Sequence, residues 1–196
     1  MTTAGEKSVN QKILPIYGYG QPVLKQEAEM LEPGHPGLEA FIESMWATMY
    51  NAQGIGLAAP QVGEALRLFV VDTIQLNHEE DEGKGIKQVF LNARKLEEEG
   101  EPWAYEEGCL SIPEIRGDVE RPPRLRLRWQ DEHFETHERE FTGMDARVIQ
   151  HEYDHIDGVL FIDRLKPIKK RLIRRRLENI RKGKVSVDYK MKFARR

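Results

Sequence analysis

Residues 141 to 158 read FTGMDARVIQHEYDHIDG, a helical pattern that predicts a helix over roughly 144 to 156. Thr142 stands three residues before Asp145 as a capping box, and Gly158 sits where a C-terminal cap belongs. Within it, His151, Glu152 and His155 form H-E-x-x-H. At helical pitch, positions 151 and 155 lie about 40° apart and one turn apart, so both imidazoles reach one metal ion. Glu152, beside them, is placed to exchange protons with a metal-bound water rather than to bind the metal. The competing reading is a polar helix face carrying two ordinary histidines.

Outward from this helix the pattern changes period. Leu125, Leu127 and Trp129 alternate with Arg124, Arg126 and Arg128, and DEHFETHEREF at 131 to 141 suggests a return strand. LRLFVVDTI at 66 to 74 and QVFLNA at 88 to 93 read as strands. Further upstream, Leu38, Phe41, Ile42, Met45, Trp46 and Met49 form the apolar stripe of a helix that ends before Gly54. A last helix, from about Lys166 to Lys182, carries Leu172, Ile173, Leu177 and Ile180 on one side and Arg or Lys on the other. Strands and helices without regular alternation predict an α+β fold, with mixed or antiparallel sheets around the H-E-x-x-H helix.

Composition narrows the class. The chain has 196 residues, 39% hydrophobic and 32% charged, the profile of a soluble globular domain. No apolar run approaches the roughly 18 residues that a membrane-spanning helix needs, and the polar MTTAGEKSVNQK at 1 to 12, with no apolar stretch behind it, argues against Sec export. Cys109, the only cysteine, has no internal disulfide partner, which suits the reducing cytoplasm. Charge is divided. Residues 166 to 196 hold 14 Lys or Arg against Glu178 and Asp188, while the remainder is strongly acidic, including HEEDEGKG at 78 to 85. The basic tail reads either as a solvated helix face or as a surface for ribosomal RNA phosphates. On the second reading, deleting it weakens ribosome binding and leaves turnover of a short substrate intact.

Two imidazoles leave a tetrahedral site one protein ligand short. No histidine follows His155, so a third imidazole further along the chain is excluded. Glu178, the position a thermolysin-like peptidase would use, and Cys109 remain as candidates. A non-enzymatic RNA-binding module is the alternative from another class, motivated by the tail alone.

GIGLAAPQ at 54 to 61, EGCLS at 107 to 111 and QHEYDHIDG at 150 to 158, in this order and spacing, resemble the motifs of peptide deformylases. The likeness runs from ILPIYGYGQPVL at 13 to 24 to the helix beginning near Lys166, and implies one catalytic domain ending in a basic helix and tail. It implies that Cys109, His151 and His155 hold a divalent metal and that Glu152 moves protons. It also implies that the Gln61 amide and the Leu110 backbone N–H stabilise an oxyanion. Gly54, Ile55 and Gly56 are expected to bind substrate backbone, and Val148 to line the pocket for an apolar first side chain. The implied reaction removes the formyl group from N-formylmethionine on nascent polypeptides, releasing formate. Ligand chemistry alone favours zinc. The resemblance implies Fe2+, replaceable by Zn2+, Ni2+ or Co2+.

Overall fold

The computed structural model describes residues 12–76 and 85–194; the polar opening through residue 11 and all of the acidic 78–85 loop except Gly85 lie outside the described residues. In chain order the elements are β1 (Ile16–Tyr17), α1 (Leu38–Asn51), β2 (Gly56–Ala58), β3 (Leu68–Asp72), β4 (Lys87–Glu99), β5 (Trp103–Cys109), β6 (Ile112–Arg121), β7 (Arg124–Gln130), β8 (Thr136–Thr142), α2 (Gly143–Ile156), α3 (Pro167–Arg181) and β9 (Met191–Lys192). Five strands form an antiparallel sheet in the order β2-β3-β4-β7-β8, β5 and β6 form an antiparallel hairpin, and β1 pairs with β9 in parallel. This is the expected α+β architecture, with α2, which carries H-E-x-x-H, at its centre.

The central position of α2 follows from which residues each strand turns toward it. All five residues of β3 are buried because helices cover both of its faces. Leu68 and Val70 join the α1 side chains Ile42, Met45 and Met49, while Phe69 and Val71 face Ala146, Ile149 and Ile156 of α2. In β7 the alternation is the expected one, with Leu125, Leu127 and Trp129 buried and the three arginines between them exposed. A third cluster joins Ile173, Leu177 and Ile180 of α3 to Ile112, Ile115 and Val119 of β6, and Cys109 packs against it.

Four details depart from the sequence reading. Thr142 occupies the N-cap of α2 but makes no side-chain cap bond, and Asp145 accepts the Thr73 hydroxyl instead, so the capping box is not formed. Leu172 is exposed: it lies about 100° around the helix from the Ile173–Leu177–Ile180 stripe. β4 runs past residue 93 to Glu99, where its charged half pairs with β7 and sets Glu97 opposite Arg126 and Glu99 opposite Arg124. The β5–β6 hairpin was not anticipated, although burial in β6 alternates residue by residue. The C-terminal cap of α2 does form: Gly158, at φ 70°, donates to His155 O, and Val159 N donates to Asp154 O.

Candidate metal centre

Ten of the fourteen residues of α2 are buried, polar ones among them, so its functional side chains are held from all sides. His155 is 1% exposed, and its Nε2 lies 3.3 Å from Cys109 Sγ at the end of β5. The ligand atoms of Cys109, His151 and His155 all lie within 4.8 Å of one another. The bulge between Glu107 and Cys109 breaks the β5 register there, which is where the thiol turns toward α2.

Around these three is a layer that fixes them. His151 Nδ1 is 2.9 Å from Glu107 Oε2, an arrangement that leaves Nε2 free for a cation. Glu107 in turn accepts both Arg121 Nε and Nη2 (2.7 and 2.9 Å) and Arg147 Nη1 (2.8 Å). Burial would raise the Glu107 pKa, but the hydrogen bonds from Arg121 and His151 hold it well below the usual carboxylate range. Burial alone would lower the His151 pKa; hydrogen bonding to Cys109 and Glu107 lifts it to about 10 without a metal. His155 moves the opposite way, well below its ordinary value, through burial and the neighbouring His151. Without a metal, His151, between the Cys109 sulfur and the Glu107 carboxylate, is therefore the ring of the two that favours the proton. A divalent cation suits the same position, since one soft thiolate and two imidazoles are a donor set for zinc or iron.

Glu152 is 4% exposed, and its Oε2 takes no hydrogen bond among the described residues. Burial lifts its pKa to about 7. A Cβ built on Gly56 would lie 2.5 Å from Glu152 Oε1, so this glycine is required by the carboxylate packed on its Cα. Gln61 Oε1 accepts the Ala58 N–H at 2.8 Å, which turns the amide NH2 toward Cys109 Sγ at 3.4 Å and Ser111 Oγ at 3.3 Å.

These groups open on a cavity of about 750 Å³, within the ordinary range for small-ligand sites. Gly54, Ile55, Gly56, Gln61, Cys109, Leu110, Val148, His151 and Glu152 all line it, and His155 stands behind them. Val148 is both cavity wall and core residue. Glu178 is elsewhere: it sits on α3, paired with Arg181 and Lys182. Sequence reasoning missed Glu107, although it stands two residues before Cys109 in the quoted motif, and it missed Arg147. It also missed Val187, Asp188 and Tyr189, which line the cavity from the far end of the chain. No local pattern announces those three.

The family described as Polypeptide deformylase matches residues 13–171. Curated peptide deformylases from Christiangramia forsetii and Flavobacterium johnsoniae are 51% and 50% identical, covering 92% and 93% of this chain and 96% of each relative. Among solved structures, a peptide deformylase from Legionella pneumophila aligns with a TM-score of 0.76 at 32% identity, covering 88% of this chain and 98% of that one. A Plasmodium falciparum peptide deformylase in complex with an inhibitor aligns with a TM-score of 0.74 at 31% identity, covering 84% and 97%. With a thiol and two imidazoles brought together from β5 and α2, and with relatives matching along nearly all of its length, this chain belongs to the peptide deformylase family, metal-dependent hydrolases that remove the formyl group from N-formylmethionyl peptides.

Proposed function

We propose that residues 1–196 form one cytoplasmic catalytic domain that deformylates nascent chains with Fe2+ held by Cys109, His151 and His155. The single observation that supports this reading most is the convergence of that thiol and those two rings beside a buried Glu152 oxygen with no hydrogen-bond partner among the described residues. When bound, the cation supplies Lewis-acid polarisation and lowers the pKa of water toward about 7. Glu152 accepts the proton of the attacking water and delivers it to the leaving amine, so that one carboxylate serves both halves of the hydrolysis. The Gln61 amide and the Leu110 N–H donate to the oxygen that gains charge as the formyl carbon becomes tetrahedral. Gly54 to Gly56 receive the substrate backbone, and Val148 borders the methionine side chain. The products are formate and a free amino terminus.

The test is formate release from formyl-Met-Ala-Ser together with elemental analysis of anaerobically purified protein. We expect about one iron per chain, loss of metal in Cys109→Ser, and no change in metal content in Glu178→Gln. Glu152→Gln keeps the metal and loses about 10² to 10⁴ in kcat. Stoichiometric metal in Cys109→Ser, or turnover by Glu152→Gln at the wild-type rate, would overturn the assignment.

We infer in addition that α3 meets ribosomal RNA. Lys169, Arg171, Arg174 and Arg175 are exposed beside Ile168 and Leu172, at 78% and 72%. Reversing Lys169, Arg171 and Arg175 to Glu is expected to weaken ribosome co-sedimentation in a salt-dependent way, with formate release from the tripeptide unchanged. Unaltered co-sedimentation removes this part of the proposal.

A further inference from the structure

The C-terminal segment does not trail from α3. β9 lies along β1, with Ile16 N donating to Lys190 O at 2.8 Å and Gly18 N to Lys192 O at 3.0 Å, and Gln21 Nε2 donates to Phe193 O at 2.7 Å. Fastened there, residues 184–194 run as a strap past the cavity, and the half-buried Tyr189 donates its hydroxyl to the Leu110 carbonyl at 2.8 Å.

We propose that Tyr189 is a positioning residue for deformylation: it holds the Leu110–Ser111 turn, and through it the Leu110 N–H, at the geometry the oxyanion needs. This rests on the reading of Leu110 as an oxyanion donor. Three contacts meet at the turn. Tyr189 takes the Leu110 carbonyl, Tyr19 N donates to the Ser111 carbonyl at 2.9 Å, and Gln61 Nε2 lies 3.3 Å from Ser111 Oγ. Two successive carbonyls are thus held from the strap and from the chain just after β1, with which the strap pairs. The other proposed donor, Gln61, is tied to the same turn through Ser111. An oxyanion donor gains its advantage from being fixed before charge develops. A turn free to rotate about the Leu110 backbone would forfeit that advantage, and the phenol is what resists rotation at the first carbonyl.

Tyr189→Phe removes one oxygen and leaves the ring in place. With formyl-Met-Ala-Ser, kcat is expected to fall about three- to ten-fold, the range one hydrogen bond supports, with KM within two-fold and with metal content and Tm unchanged. In a Gln61→Ala background, where the oxyanion site is already impaired, the same substitution is expected to cost less, because the two side chains act on one charge. Truncation after Gly183 is expected to lower kcat at least as far as Tyr189→Phe. Wild-type kcat in Tyr189→Phe would overturn the proposal, as would full additivity with Gln61→Ala or a loss that only follows metal content. If the wild-type protein releases no formate, the deformylase assignment fails and this proposal with it. Wild-type turnover with an indifferent Tyr189→Phe sinks the positioning role alone.

Discussion

Glu107 is the residue through which the rest of the site is oriented, since it joins His151 to Arg121 and Arg147. Glu107→Gln should weaken metal affinity about 10- to 100-fold, measured by chelator competition, because the amide carries no charge to set against the ring. Gly56→Ala is expected to displace Glu152 and cost about 10² in kcat with the metal retained, as a catalytic group moved by about 1 Å does. The pH profile carries a sign as well. Glu152 must be ionised to accept a proton, so kcat/KM should fall as acid protonates it. Burial lifts its pKa to about 7 in the metal-free site, and a bound cation favours the charged form. The acid limb should therefore lie below pH 7 in the metal-loaded enzyme and vanish in Glu152→Gln, whose residual rate is flat there. The histidines and their glutamate were legible in the sequence because helical spacing alone puts them together. Cys109 was legible only as one of two candidate ligands until the motifs were read together, since 42 residues separate it from His151 and no periodicity spans them. Glu107 was illegible as a partner because 44 positions separate it from His151 and it stands on a hairpin whose pattern charged residues dilute.

At the scale of elements, α2 is fastened by buried charge. Asp154 accepts Arg121 Nη1 at 2.8 Å and Arg164 Nε and Nη2 at 2.6 Å each, while the same Arg121 holds Glu107. Arg121→Met would leave two carboxylates buried without that partner, and denaturant unfolding should show a loss of about 3 to 5 kcal/mol. Burial would raise the pKa of both Glu107 and Asp154, but their arginines and His151 hold both below the ordinary range. Carboxylates lowered in the folded state contribute stability that is complete above their unfolded values, near pH 4, and is lost as pH falls through the folded ones. Wild-type protein should therefore lose stability steeply in acid, and Arg121→Met less so. The elements themselves were mostly foreseeable: α1, α2, β3 and β7 follow from apolar spacing. The β5–β6 hairpin was not, because Glu106, Glu107, Arg116 and Asp118 dilute its pattern and because Arg121, 2% exposed, occupies an inward position where an apolar residue is expected.

For the molecule as a whole, the donor set ties the end of β5, which packs with the α3 cluster, to the helix that closes the sheet core. Chelation should therefore lower Tm as well as abolish turnover. A cation at about 100 times its Kd adds about 2.7 kcal/mol, and calorimetry with and without chelator, then with metal restored, measures the difference. The sequence divides the molecule into an acidic body and a basic tail, and the fold divides it elsewhere. α3 keeps its basic outer face in solvent, whereas residues 187–189 return to the cavity, so deletion from residue 166 onward removes part of the wall along with the proposed RNA surface. Tyr17 and Lys192, joined by a hydrogen bond of 2.8 Å, are 175 positions apart. During synthesis, then, the small parallel sheet waits for residues 191 and 192 to emerge, and a copy still being translated carries Cys109, His151 and His155 before it has the tyrosine proposed to steady the Leu110 turn. An enzyme that works on other proteins' first residues would thus reach full rate only once its own strap, residues 184–194, has followed its metal ligands out of synthesis.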